Sequence, residues 1–354
     1  VKEVIVLPGD GIGPEVIESA LKILDLLIKK ESLSLSIVMD SVGGDAIDRY
    51  GVPIRKETIQ KIQRIGQVVL GAVGGPKWDT VPFELRPEKA LLTIRKTLQV
   101  YANLRPIRTY DPALPFSPLK EEICKGVDMV IVRELVGGIY FGEPRGIRVH
   151  EEGKVGINTE IYSEKEIERV ARVAFSLAKS RKKKVTSVDK ANVLESSALW
   201  REVVQRVSGD FPGIQLHHLY VDTMAMQIVQ KPGEFDVILT NNLFGDILSD
   251  EGAVIAGSIG LLPSASIGDG TGFYEPIHGS APDIAGKGIA NPIGTILSFG
   301  WFLELSLNRP DLKRKIENAV EKTLMEGIFT PDLKGNAKTE EVTSAIIKFL
   351  SQGT

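Results

Sequence analysis

The sequence predicts an α/β protein of about two domains with a protruding β arm, and three observations predict it. Short apolar strand-like runs alternate with helix-like ones along most of the chain. At 354 residues the chain is long enough for two buried cores. One Gly-rich stretch of β character, residues 137–156, breaks the alternation and fits a protruding hairpin better than core.

The elements follow in order. Residues 2–7 read as a first strand, entered at once. Residues 14–30 read as an amphipathic helix with Pro14 at its start and Glu15 in its first turn. Residues 68–73 form a buried strand running into the Gly74-Gly75-Pro76-Lys77 turn. A helix over 87–100 leads into a strand over 102–108, and another strand spans 127–133. After the 137–156 stretch come a helix at 163–181, a strand at 184–188 and a helix at 191–208. Strands at 216–221 and 235–240 have helix between them, and a helix continues from 241 to about 256. A loop rich in Gly, Pro and Ser runs to about Gly288, and helices near 293–308, 311–326 and 338–351 finish the chain. The basic run Arg181-Lys182-Lys183-Lys184 reads as a solvated helix end.

Bulk composition narrows the function. With 43% hydrophobic and 25% charged residues, the chain has the make-up of an ordinary globular protein. A net charge of −3 argues against nucleic acid or an anionic membrane as partner. The single cysteine, Cys124, excludes an internal disulfide and suits a reducing cytoplasm. No apolar run reaches the length of a membrane span, and no signal-peptide pattern precedes the first strand.

The loop Gly9-Asp10-Gly11-Ile12-Gly13-Pro14-Glu15 suggests a Rossmann fingerprint and fails it, because Pro14 stands where the third Gly belongs. It reads either as a tight turn feeding a helix or as a ligand-contacting loop. A nucleotide site is expected elsewhere.

The densest chemistry lies in Asn241-Asn242-Leu243-Phe244-Gly245-Asp246-Ile247-Leu248-Ser249-Asp250. Asp246 and Asp250 stand at i and i+4, one helical turn apart on one face, where bare like charges repel. A cation would reverse that sign, and hard carboxylate oxygens suit Mg²⁺ or Mn²⁺. Taken alone, the pair reads first as two solvated residues on a surface helix; the rest of the chain overturns that. Arg95, Arg105 and Arg133 are each readable as surface ion pairs; converging, they would clamp a substrate with two carboxylates. Tyr140 follows Gly137-Gly138 and can approach a site closely, or simply pack. Lys190 leaves a strand, where it is by default a surface lysine, or, with partial desolvation and nearby charge, a general base. Asp222 sits just past a strand, as a third acidic ligand or as a helix N-cap. In the loop 275–292, small residues permit close backbone approach to a planar ligand. His278 there offers a stacking face, and Asp283 would accept from a ribose 2′-hydroxyl while repelling a 2′-phosphate.

Together these runs resemble the β-decarboxylating dehydrogenases of 2-hydroxy acids, the group acting on isocitrate, homoisocitrate, tartrate and 3-isopropylmalate. The signature 241–250 with Gly260-Leu261-Leu262-Pro263-Ser264-Ala265, the 9–15 loop, the three arginines, Tyr140 in Gly137-Gly138-Ile139-Tyr140-Phe141-Gly142, Lys190, Asp222 and the 278–291 loop match in order. No catalytic position departs from the pattern. The resemblance implies a two-domain isopropylmalate/isocitrate dehydrogenase-like fold, not Rossmann. It implies a discontinuous cofactor-binding domain from 1–100 and 257–354. It also implies a central domain, 101–256, that carries the dimer contact and the arm.

The same resemblance assigns roles. Tyr140, Lys190 and Asp222 would be catalytic, and Asp246, Asp250 and Asp222 would hold Mg²⁺ or Mn²⁺. Glu88, Leu91, Leu92, Arg95, Arg105, Arg133 and Asp222 would bind substrate. NAD would lie along Glu275, His278, Gly279, Ser280, Ala281, Pro282, Asp283, Ile284, Ala290 and Asn291. Lys190 and Asp222 would serve the partner's active site, so a homodimer would be the catalytic unit. Isocitrate enzymes carry a Ser/Asn-containing helix for a third carboxylate. Here Leu91 and Leu92 stand in that helix, a wall for an isopropyl group whose burial contributes about 2 kcal/mol. Glu88 would repel an extra carboxylate. The implied reaction is NAD-dependent oxidative decarboxylation of (2R,3S)-3-isopropylmalate to 4-methyl-2-oxopentanoate, a step of leucine biosynthesis. The alternatives are a homoisocitrate or tartrate/D-malate dehydrogenase, or a non-catalytic regulatory homologue.

Overall fold

The computed structural model describes residues 2–352. The chain divides into two compact units: one holds the chain up to Val100, Tyr110–Pro118 and everything from Ala256 onward, the other Tyr101–Thr109 and Leu119–Ile255. The segment Tyr110–Pro118 thus belongs to the first unit although both its neighbours belong to the second.

The first unit begins with β1 (Lys2–Gly9), α1 (Gly13–Glu31), β2 (Leu35–Met39), α2 (Gly44–Tyr50), α3 (Lys56–Ile65), β3 (Gln67–Ala72) and α4 (Lys89–Leu98). The second holds β4 (Ala102–Arg108), α5 (Glu121–Cys124), β5 (Asp128–Glu134), β6 (Gly142–His150), β7 (Gly153–Thr159), α6 (Glu164–Lys179) and β8 (Lys184–Asp189). It continues through α7 (Glu195–Ser208), β9 (Gln215–Tyr220), α8 (Val221–Gln230), β10 (Val237–Thr240) and α9 (Asn242–Ala253). The chain then returns to the first unit for β11 (Pro263–Ile267), β12 (Gly272–Pro276), α10 (Ile293–Leu307), α11 (Pro310–Met325) and α12 (Thr339–Gln352).

Strand order in the first unit is β2-β1-β3-β12-β11, parallel except for the β11–β12 pair. Val4, Ile5, Val6 and Leu7 of β1 are all fully buried, because α1 and α3 both pack on that strand. Pro14 and Glu15 open α1, Lys29 and Lys30 close it, and Ser32 ends it with a left-handed φ of 50°. Ile293 through Leu303 of α10 are buried on every side, so this helix is the unit's central rod. In the second unit the order is β4-β5-β10-β8-β9, antiparallel only at β4–β5. Ser163 and Glu166 form a reciprocal capping box on α6.

Several sequence expectations shift. Strands β11 and β12 lie inside the segment read as loop: Pro263-Ser264-Ala265-Ser266 lacks large apolar residues yet is buried. The edge strand β2 and helices α2 and α3 gave no reading of their own. Helix α7 starts at Glu195 rather than 191. The hairpin is β6–β7, mostly exposed, but it starts at Gly142. Residues 138–140 instead form a short 3₁₀ turn. Among the described residues no helix is long and apolar enough to cross a membrane.

Candidate active site

Five of the residues singled out in the sequence meet in the second unit. Arg133 is the penultimate residue of β5, and Gly245 lets its stem lie directly against α9: a Cβ at Gly245 would stand 2.7 Å from Arg133 Cγ. Its Nε and Nη2 donate to Asn242 Oδ1 at 3.0 and 2.8 Å, and Nη1 pairs with Asp246. Tyr140 donates its hydroxyl to the other oxygen of Asp246, Oδ2, at 3.0 Å. Burial, and then the hydrogen bond to Asp246, hold the Tyr140 phenol above its usual range. Arg105 on β4 reaches Ser249 Oγ at 2.6 Å and Asp250 Oδ1 at 3.2 Å, steadied by Asn103 Oδ1 at 2.9 Å. Asn241 caps α9 by accepting from Phe244 N–H at 2.8 Å, which sets the register of Asp246 and Asp250.

Lys190 and Asp222 form a second group in the same unit. Lys190 Nζ donates to Asp222 Oδ1 at 2.7 Å, and this bond lowers the Asp222 carboxyl below its ordinary range. The backbone at Lys190 is held from both sides. Its N–H donates to Ser197 Oγ at 3.1 Å, and buried Asp189 takes two bonds from Arg201, each of 2.9 Å. Asp222 is not the N-cap of α8; Tyr220 holds that position. Among the described residues no three acidic, histidine or cysteine side chains gather into a metal cluster, so Asp222 does not join Asp246 and Asp250 within one chain.

The donors nonetheless fit a hard divalent cation. Asp246 and Asp250 offer only carboxylate oxygens, and the Asp250 side chain is 74% exposed. The hydrogen bonds to Asp246 leave further lone pairs on its oxygens.

In the first unit the N-terminal loop is scaffolding for the 275–292 loop. Asp10, nearly buried, accepts from the N–H groups of Gly44, Asp45 and Gly74, each at 2.8 Å; desolvation raises its carboxyl above the ordinary range. Ile12 N–H donates to Ser280 O at 2.8 Å, and a Cβ on Gly11 would collide with that same oxygen. Ile12, Val16 and Ala290 share an apolar cluster against which Ala281 and Ile284 pack. Glu15 accepts from Ala290 N–H at 3.0 Å. Asn291 is also committed, with its amide on Asp332 at 3.0 Å and its oxygen on Ile293 N–H at 3.0 Å. Gly279, Pro282 and Asp283 stay exposed.

His278 is 9% exposed; its Nδ1 donates to Gly279 O at 2.9 Å, and buried Nε2 has no partner among the described residues. Burial pushes its imidazole below the ordinary range, so the ring is neutral and Nε2 is an orphan acceptor. That orphan, the exposed Asp283 carboxylate and the open face at Gly279 fit a dinucleotide. Arg95 is not free: its Nη2 donates to Glu275 Oε1 at 2.9 Å. Glu88 lies over Gly74, Leu91 is half-buried and Leu92 is 51% exposed.

Asn242, Gly245, Ser249, Asn103, Asp10 and Glu15 were missed as supports. One signal was readable for Gly245, since a glycine inside a helix marks close approach by another group.

The model of the isocitrate/isopropylmalate dehydrogenase family matches residues 3–346. A 3-isopropylmalate dehydrogenase of Aquifex aeolicus is 52% identical, covering 99% of this chain and 97% of its own. One from Wolinella succinogenes is 51% identical over 99% and 98%. Among solved structures, an isocitrate dehydrogenase from Methylococcus capsulatus superposes with a TM-score of 0.85 at 32% identity, covering 99% of both chains. A β-decarboxylating dehydrogenase from Thermococcus kodakarensis gives 0.82 at 39% identity, over 99% of this chain and 97% of that one. The signature helix with its two carboxylates, the arginines around it and matches along nearly the full chain lead to one conclusion: this chain belongs to the isocitrate/isopropylmalate dehydrogenase family.

Proposed function

We propose that the chain is an NAD-dependent, divalent-metal-dependent dehydrogenase that converts (2R,3S)-3-isopropylmalate to 4-methyl-2-oxopentanoate and CO₂, in leucine biosynthesis. One observation carries the choice of substrate. On α4, Leu91 and Leu92 precede Arg95 by four and three residues, so all three share one face. A carboxylate held by Arg95 would leave the neighbouring substituent against leucine. An isopropyl group suits that surface; a third carboxylate would be desolvated there with no partner.

The other residues fall into roles. Arg105 and Arg133, gathered at the carboxylates of α9, orient the substrate's acid groups. Asp246, Asp250 and the Asp222 of a second copy would hold the cation. Such a cation, when bound, supplies Lewis acidity at the substrate's C2 oxygen. NAD⁺ along the 275–292 loop supplies the hydride acceptor. Lys190, positioned by Asp222, accepts the hydroxyl proton in its neutral amine form as hydride leaves C2. The C3–carboxylate bond then breaks, CO₂ departs with C3 left electron-rich, and Tyr140 returns a proton to C3. Exposed Ile147 and Val149 on the β6–β7 arm, with Met226 on α8 and Ile247 on α9, supply apolar surface for a homodimer in the cytoplasm.

The test is kcat/KM on 3-isopropylmalate, isocitrate, homoisocitrate and D-malate with NAD⁺. The highest value on 3-isopropylmalate supports the reading; preference for a tricarboxylate removes it.

A further inference from the structure

A carboxylate that the proposed chemistry does not use lies directly behind the site. Glu134, the last residue of β5, is fully buried, next in sequence to Arg133. Its two oxygens accept from Val136 N–H at 3.0 Å and Gly137 N–H at 2.8 Å. Tyr162 packs against the same Gly137–Gly138 turn, and its Oη accepts from Asn242 N–H at 2.9 Å. Asn242 is the residue that grips Arg133, and its own amide donates to Gly137 O at 3.2 Å. A Cβ on Gly138 would meet the Tyr162 hydroxyl at 2.4 Å, and that glycine has a φ of +78°. The turn carrying Tyr140 is therefore bonded, through backbone alone, to Glu134 and Asn242 and is moulded around Tyr162.

The remaining charged neighbours are few. Arg169 Nη2 stands 3.9 Å from Glu134, and Glu166 opposes its ionisation. Burial pushes the Glu134 carboxyl up to about 7. A hairpin anchor alone would not need an acidic group in so apolar a place, since a serine or asparagine side chain can accept a backbone N–H at lower desolvation cost.

We propose that Glu134 is a positioning residue: with Tyr162 it fixes the Gly137–Gly138 backbone, so that the Tyr140 hydroxyl stays aligned on Asp246. Glutamine at 134 keeps the shape but turns one acceptor into a donor facing an N–H, which displaces the turn. Phenylalanine at 162 removes the hydroxyl that holds Asn242, the residue bonded to Gly137 O, and leaves the ring in place.

This proposal rests on the role given to Tyr140, so its test has one arm that needs no substrate. E134Q and Y162F are each made in wild-type and Y140F backgrounds, with E134D as the conservative variant. In wild type, E134Q and Y162F should lower kcat about tenfold, with KM for NAD⁺ changed less than about twofold, and E134D should restore part of the loss. In Y140F the same changes should cost less than about twofold, because the aligned group is already gone. Amide exchange at Gly137 should quicken in both variants whether or not the substrate assignment holds. Equal losses of kcat in the two backgrounds would overturn the proposal, as would unchanged exchange at Gly137. If E134Q does not fold, Y162F carries both arms.

Discussion

Tyr140 donates its hydroxyl to Oδ2 of Asp246 at 3.0 Å, on the carboxylate whose other oxygen pairs with Arg133. The proposed proton donor and a proposed metal ligand are thus in direct contact before any substrate arrives. Burial, and then contact with this carboxylate, keeps the phenol protonated, the form an acid requires.

Tyr140→Phe should therefore separate the steps. The first-turnover burst of NADH should survive, while steady-state turnover falls about 10²-fold or more, the range for loss of one acid group. Stopped-flow absorbance measures both. Equal loss of burst and turnover would place Tyr140 in the hydride step.

Leu92 is half-exposed, so its truncation should hardly affect stability. Leu92→Ala should lower kcat/KM for 3-isopropylmalate about tenfold while sparing D-malate, which has no branched group to bury. A parallel loss on both substrates would take Leu92 out of the specificity surface.

Asp283 is exposed on a loop whose backbone is tied down by Ile12 and Glu15. Asp283→Asn should cut the ratio of kcat/KM for NAD⁺ over NADP⁺ about tenfold, by removing repulsion of a 2′-phosphate. No change in that ratio would move cofactor choice to other residues.

Glu134 makes stability depend on pH. Its carboxyl is raised in the folded chain from 4.5 to about 7. Below pH 4.5 both folded and unfolded chains hold the proton. Between 4.5 and about 7 the unfolded chain has lost it and the folded chain has not, so stability falls as pH rises. The slope from this one group is at most about 1.4 kcal/mol per pH unit. Subtracting E134Q denaturation curves from wild type should reveal a fall confined to that window. A rise in the difference, or none, would contradict the burial of the carboxylate.

Much of this arrangement was legible in the sequence, where the residue type itself carries the message. Asp246 and Asp250 at helical spacing, an arginine at a strand end and Gly137-Gly138 before Tyr140 mark chemistry without any tertiary knowledge. The supports were not legible. Neither Asn242 nor Glu134 is marked by its residue type alone; their roles exist only because β5, Tyr162 and α9 meet. The same holds for β11, whose small residues look like loop until the burial of Ser264 and Ser266 is seen. Arg95 shows another limit: its type suggested a substrate clamp, but nothing in the sequence reveals its pairing with Glu275.

The central claim, metal-assisted oxidation and decarboxylation of 3-isopropylmalate, is tested most directly by following NADH at fixed enzyme with and without EDTA. The account predicts turnover on 3-isopropylmalate that EDTA abolishes and Mg²⁺ or Mn²⁺ restores. Turnover indifferent to the chelator, or none on this substrate at any metal concentration, would contradict it.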